Sequence, residues 1–380
     1  MTDLTTKTFN YDPSIRTVFG ANSLEQLGDL ARQLAGPRVL LVTDPGIVQA
    51  GIAAKAQTIL EQAALEPFTF SEVAENPTTA HVEQGVHCAR QHAPIDLIIG
   101  LGGGSAMDCA KGINFILTNG GKMEDYWGKN KAPQPMLPSI GVPTTAGTGS
   151  EAQSFALIAQ AETHEKMACG DRKARFHTVI LDPALTTSAP PTVTVATGLD
   201  AIAHAIESYV STAHNPISQL FAREAWRLLA PTFTTVLAHP ADLEARGHML
   251  LGAHLAGMAI ENSMLGAAHA CANPLTARYS ISHGVAVGLF LPHVIRYNNH
   301  TVGPLYNELC DTAQLTHADL AASIDQFKAS AGLPQRLRDL QVETSDLPQM
   351  AHQATDQWTG TFNPRPLTEA DFLYLYEAAY

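Results

Sequence analysis

The first half of the chain alternates short apolar runs with amphipathic stretches. RVLLVTD (38–44), apolar until it ends on an acid, predicts a buried strand; 47–63, rich in alanine with one apolar face, predicts a helix. PFTF (67–70), DLIIG (96–100), SIGVP (139–143) and the start of TVILDPAL (178–185) predict further strands, with helices over 79–92 and 105–117 between them. Strand and helix alternating at this spacing predict βαβ units and a parallel sheet with right-handed crossovers. From 191 onward helical periodicity dominates and strands become scarce, and APP (189–191) reads as a joint. The expected architecture is therefore an α/β domain with a parallel sheet over 1–188 and an all-α domain over 189–380. No repeat, heptad array or low-complexity tract interrupts either half.

Composition narrows the class. A chain of 380 residues with 45% hydrophobic and 16% charged residues can build two cores and is not of disordered type. A net charge of −13 without a basic stripe argues against nucleic acid and anionic membranes as partners. The N-terminal MTDLTTKTFNYDPS lacks the apolar core of a signal peptide, and no membrane-length apolar run occurs. Cys88, Cys109, Cys169, Cys271 and Cys310 form no paired motif, so the expected location is a reducing cytoplasm with free thiols.

Two glycine-bearing loops follow predicted strands. In LIIGLGGGSAMDCAKGIN (97–114), Gly102, Gly103 and Gly104 let backbone approach a ligand, Ser105 sits where a helix N-cap is expected, and the helix offers free N–H groups to a pyrophosphate. A tight strand-to-helix turn without a ligand is the alternative reading. GVPTTAGTGSE (141–151) places Thr144, Thr145 and Thr148 among glycines, which suits phosphate, ribose or a nicotinamide carboxamide, or a plain surface loop. Parallel sheets bind ligands at the carboxyl ends of their strands, which joins the two loops in one argument. The GxGxxG fingerprint after the first strand and the Walker pattern are both absent, which disfavours ATP chemistry. Asp44, at a strand tip, either accepts from a ribose 2′-hydroxyl, favouring NAD over NADP, or caps the helix that begins at Pro45.

The second half carries a different signal. Asp200 and His204 lie four apart in a helical stretch and share a face, and His269 and His283 bracket a helix and the loop after it. Three imidazoles and one carboxylate suit Fe(II), Zn(II) or a neighbouring divalent ion, and without thiolates they do not resemble a closed structural zinc site. With 16 histidines in the chain, the i, i+4 pair alone is weak evidence. His248, His254 and His293, in apolar helical runs, read as packed or partly solvated. Cys271 reads as a pocket-wall residue. Glu207 lies on the Asp200–His204 face and reads equally as a support for the donors or as a solvated helix position.

NPT (76–78), GGGSAMDCAKGIN, PTTAGTGSE, LDPAL, TGLDAIAHAIESYVS, SHGVAVGLFLPHVIRYN (282–298) and NPRP (363–366) together resemble the iron-containing (group III) alcohol dehydrogenase family across nearly the whole chain. The resemblance implies a dehydroquinate-synthase-like fold, with the α/β domain holding the dinucleotide, the helical domain holding the metal, and the active site in a cleft between them. It implies metal ligation by Asp200, His204, His269 and His283, and a dinucleotide loop at Gly102, Gly103, Gly104, Ser105 and Asp108. Further cofactor contacts are implied at Asp44, Asn76, Thr144, Thr145, Thr148 and Lys166. The implied activity is hydride exchange between NAD(H) and a small primary alcohol or diol and its aldehyde, assisted by Fe2+ (or Zn2+ or another divalent ion). A homodimer or larger assembly is also implied.

One position departs from the family. A histidine commonly follows the third ligand by four residues, and here HACANP puts Asn273 there. An amide does not titrate near neutrality, so this place near the substrate carries no proton relay. Two enzyme classes on the same fold compete. A metal-independent reductase of maleylacetate type lacks the full ligand quartet, and a dehydroquinate-synthase-like lyase needs more basic residues than flank this site. A non-catalytic nucleotide-binding subunit is a third reading.

Overall fold

The computed structural model describes residues 8–163, 165–315 and 319–380. The first seven residues of the polar N-terminal stretch lie outside the described residues. The chain divides into two compact units, one spanning 13–189 and the other 190–380 together with the segment ahead of residue 13.

The 13–189 unit runs β1 (Arg16–Phe19), α1 (Leu27–Leu34), β2 (Arg38–Val42), α2 (Pro45–Gln49), α3 (Ile52–Gln62), β3 (Glu66–Phe70), α4 (Thr79–Gln91), β4 (Leu97–Gly102), α5 (Gly104–Asn119), β5 (Gly128–Lys129), β6 (Ser139–Pro143), β7 (Phe155–Ala159), β8 (Lys166–Gly170) and β9 (Thr178–Leu181). Six strands form one sheet in the order β1-β9-β6-β4-β2-β3, and every pairing in it is parallel. β4 and β6 are buried along their whole length, as expected of parallel strands covered on both faces. Val39, Leu41, Leu97, Ile99, Leu101, Ile140 and Val142 pack against Leu27, Leu30, Ala56 and Leu60 of α1 and α3. Gly102 pairs with Pro143 in register, so the glycine loop and the threonine loop leave adjacent strands side by side.

Three features differ from the sequence reading. The single helix expected over 47–63 is two helices, because Gly51 adopts a left-handed φ of 76° and starts α3 afresh. β1 and the antiparallel β7–β8 hairpin carried no strong signal. RTVF is a mostly exposed edge strand without an apolar run, and the hairpin strands are interrupted by a charged turn. Ser105 is not a helix N-cap: Gly103, with extended backbone, caps α5, and Ser105 lies one residue inside the helix.

In the helical unit, α6 (Pro191–Val210), α7 (Pro216–Ala238), α8 (Leu243–Glu261), α9 (Ala267–Tyr279), α10 (His283–Thr312), α11 (Leu320–Ser330), α12 (Leu347–Thr355) and α13 (Glu369–Ala379) follow one another. No strand occurs here among the described residues. Every residue from Gly198 to Val210 is buried, which makes α6 the central helix, with α7, α8 and α10 packed on it. Phe233 meets Phe327 at 5.7 Å between ring centroids, and the Trp226 indole N–H donates to the Leu309 carbonyl at 2.7 Å. α10 kinks at Val302, two residues before Pro304, whose ring disfavours helical geometry upstream. Among the described residues no helix is long and apolar enough to cross a membrane.

Candidate metal and dinucleotide sites

α6 brings Asp200 and His204 onto one face, and α9 and the first residue of α10 add His269 and His283. Donor atoms of Asp200, His269 and His283 lie within 4.8 Å of one another. His204 falls outside that tight trio but beside it. Its Nε2 lies 3.4 Å from Asp200 Oδ1, and its ring stacks on His269 at 4.9 Å and 19°. The Nε2 atoms of His269 and His283 stand 3.5 and 3.9 Å from the same Oδ1, so three imidazoles converge on one carboxylate oxygen. Asp200 and His269 are 4% and 3% exposed. Neither Asp200 Oδ1 nor His269 Nε2 has a hydrogen-bond partner among the described residues. Orphaned buried acceptors are costly, and a divalent cation bound among them removes the cost, so this donor set fits such an ion.

Glu207 settles between its two readings. It is 4% exposed, so it is no solvated helix position. Its Oε2 faces His269 Nδ1 at 2.5 Å and its Oε1 accepts from the Ala268 N–H at 2.7 Å. Burial disfavours a charged His269, yet Glu207 and Asp200 on its two nitrogens push its pKa up to about 9. Burial by itself would raise the Asp200 carboxyl, but the surrounding histidines hold it well below the usual carboxylate range. Both directions describe surroundings whose field favours a cation.

In the 13–189 unit the two loops interlock. The Thr144 N–H donates to the Gly102 carbonyl at 2.9 Å, and a Cβ on Gly104 would lie 2.6 Å from the Thr148 side chain. Thr145 is the nearest side chain to Gly103. Three consecutive glycines are thus explained in part by close packing of the loops, before any ligand enters. Asn76, at a left-handed φ of 52°, donates its N–H to Ser105 Oγ at 3.3 Å, and Lys166 Nζ donates to Asn76 Oδ1 at 3.3 Å. Ser105, Asn76 and Lys166 therefore form one cluster. Asp44 does cap α2, its Oδ1 accepting from the Ile47 N–H at 3.0 Å, while Oδ2 points toward Gly102.

Asp108 turns elsewhere. It is buried, accepts from the Ser150 hydroxyl at 2.5 Å and lies 3.9 Å from Lys111 Nζ; burial raises its carboxyl despite these partners. Lys111, also buried, donates to the Ser150 carbonyl and hydroxyl and to the Phe155 carbonyl. Asp108 thus braces the threonine loop through Ser150. Asn273 follows His269 by one helical turn, and its Nδ2 donates to Gln357 Oε1 at 2.8 Å. His254 is buried and His248 and His293 half-buried, while Cys271 is fully buried. The sequence reading includes Ser150 among the hydroxyls of the threonine loop, but it missed Lys111, Asn298 and Asn363. Only Lys111, three residues after Asp108 in one helix, carried a local signal.

Residues 13–183 match the family profile described as iron-containing alcohol dehydrogenase, and residues 194–380 match that of the C-terminal part of the Fe-containing alcohol dehydrogenase family. Alcohol dehydrogenase 4 of Schizosaccharomyces pombe is 35% identical, over 97% of this chain and 88% of its own. The crystal structure of a 1,3-propanediol oxidoreductase superposes with a TM-score of 0.94 at 33% identity, covering 98% of this chain and all of the other. A sulfoacetaldehyde reductase of Bifidobacterium kashiwanohense, solved with NAD+, superposes at 0.90 with 26% identity, covering 98% of this chain and 99% of its own.

Proposed function

This chain belongs to the iron-containing alcohol dehydrogenase family, a family of oxidoreductases, and from that premise we propose that it interconverts a small primary alcohol or diol and its aldehyde with NAD(H). The observation that carries the reading is the convergence of His204, His269 and His283 on the buried Asp200 carboxylate.

In this proposal Asp200, His204, His269 and His283 hold a divalent ion, with Fe2+ first and Zn2+ or another ion as alternatives. When bound, such an ion supplies Lewis acidity to a substrate oxygen, and the nicotinamide accepts or returns the hydride. The remaining work falls to the chain. Asp200 provides the negative charge, and the three imidazoles, once deprotonated, would provide donors at no further cost in charge. Gly102, Gly103, Gly104 and Ser105 offer bare backbone and the N-terminus of α5 to the pyrophosphate. Asn76 and Lys166 present an amide and a cation beside Ser105, and Thr144, Thr145 and Thr148 border the same loop. Asp44 disfavours a 2′-phosphate and so selects NAD. Asn273 holds its amide on Gln357 and carries no titrating proton, so the alcohol proton leaves by another route. The complete quartet of donors favours this reading over a metal-independent reductase of maleylacetate type. A homodimer or larger assembly in a reducing cytoplasm completes the proposal, consistent with five free cysteines.

A substrate panel tests it. Ethanol, 1,2- and 1,3-propanediol, lactaldehyde and short aldehydes are assayed by NADH absorbance with protein loaded with Fe2+ or Zn2+. Turnover with at least one, lost in His269→Ala while the fold is retained, supports the reading. Full turnover by metal-free His269→Ala contradicts it.

A further inference from the structure

We infer that Glu207 is the positioning residue for His269, fixing which ring nitrogen faces the donor cluster, and that Asn363 and Gly266 hold the chain on which it acts. The inference rests on the metal role proposed for His269.

Asp200, His204 and Glu207 occupy positions i, i+4 and i+7 of α6, one stripe of the helix, so Glu207 lies beneath the donor side chains. A carboxylate accepts and does not donate, so the proton in its contact with His269 sits on Nδ1. In the neutral ring that a metal ion would bind, the lone pair is then on Nε2, the atom that has no hydrogen-bond partner among the described residues and lies 3.5 Å from Asp200 Oδ1. The other oxygen, accepting from the Ala268 N–H, satisfies one of the free donors in the first turn of α9. One carboxylate thereby sets both the tautomer of the ring and the height of the helix that carries it.

The frame around it is built from amides. Asn363 Oδ1 accepts from the Ala267 N–H at 3.4 Å, the neighbouring free donor of α9. Asn363 and Asn298 exchange hydrogen bonds at 2.8 and 2.9 Å, and Asn363 Nδ2 also donates to the Arg365 carbonyl at 2.7 Å. Gly266 threads the gap. A Cβ there would meet Glu207 Oε1 at 3.1 Å and Asn363 Oδ1 at 3.2 Å, tighter than ordinary contact on both sides. These three residues come from segments far apart in the chain and meet only at the start of α9. Groups that orient a metal-bound histidine from behind typically change metal affinity about 10- to 100-fold when altered.

The test uses Zn2+ as a diamagnetic probe on the full-length protein. Competition with a chromogenic chelator gives its affinity, and 15N-edited NMR of the histidine rings, assigned with His269→Ala, gives the tautomer. Glu207→Gln keeps the shape but faces either Nδ1 or the Ala268 N–H with a donor. It is expected to bind Zn2+ about 10- to 100-fold more weakly and to lose the pure Nδ1–H signature of His269. Wild-type affinity together with an unchanged Nδ1–H signature overturns the inference. Should Glu207→Gln fail to fold, Glu207→Asp, one methylene too short to reach both His269 Nδ1 and the Ala268 N–H, must weaken Zn2+ binding; unchanged binding there overturns it too. If the wild-type protein binds no Zn2+, Fe2+ or Co2+, it is the metal reading that fails, while the tautomer of the neutral ring, read in metal-free protein above pH 9, still tests Glu207.

Discussion

Nε2 of His283 stands 3.9 Å from Oδ1 of Asp200, and this approach of α10 to α6 runs through a backbone contact that only glycine allows. A Cβ on Gly284 would lie 1.9 Å from the Ala196 carbonyl oxygen. Gly284→Ala must therefore lift the start of α10 and carry His283 away from Asp200. The expected result is about 1–3 kcal/mol of lost stability, the usual cost of overpacking, and at least about tenfold weaker metal binding. A urea titration and a metal titration on one preparation check both.

Lys111 is the cation of a buried network, donating to two carbonyls and to the Ser150 hydroxyl that in turn reaches Asp108. Lys111→Met leaves the Asp108 carboxylate, still held by the Ser150 hydroxyl, without its neighbouring cation and takes one donor from each of two carbonyls. Breaking one side of such a pair costs about 3–5 kcal/mol, read as a shift in the urea midpoint. Adding Asp108→Asn should restore part of that loss, and a double variant no better than the single one counts against the network.

Asp44 combines two roles that can be separated. It caps α2 through Oδ1, and its charge is proposed to repel a 2′-phosphate. Asn caps as well as Asp, so Asp44→Asn keeps the helix start. Thermal stability should stay where it is, while kcat/KM with NADP rises about tenfold relative to NAD, about 1.4 kcal/mol of lost discrimination. An unaltered cofactor ratio assigns Asp44 to the cap alone.

His293 gives the pH dependence a definite sign. Burial, then the positive Lys328 and Arg296 beside it, push its pKa down to about 4. In the unfolded chain an imidazole titrates near 6.5. Between these values the unfolded state binds the proton and the folded state does not, so stability present above pH 6.5 is lost as pH falls toward 4. His293→Gln should flatten that part of the stability curve. Equal slopes for the two proteins across the window would remove His293 as the cause.

Much of this molecule was legible because its signals are local. β4, β6 and α5 announce themselves by unbroken apolar runs and the glycines between them, and Asp200 and His204 by helical spacing. What escaped is what the fold assembles from distant pieces. β1 is short and mostly exposed, and its pairing with β9 brings together residues more than 150 positions apart. Ser105 looked like a cap because it follows the glycines, but Gly103 already has the extended backbone a cap needs. Glu207 was ambiguous because a single helix face does not reveal what covers it; α9 does. Asn363 and Asn298 carry no motif of chemistry by themselves, and only their mutual hydrogen bonds show their use.

Metal content measured against turnover tests the central claim most directly. Protein stripped by chelator and reloaded with Fe2+ under argon should take up about one ion per chain, as a single donor quartet implies. NADH-linked alcohol oxidation should fall to background on stripping and return in proportion to the iron bound. Undiminished turnover in protein shown by elemental analysis to contain no divalent metal would contradict the account.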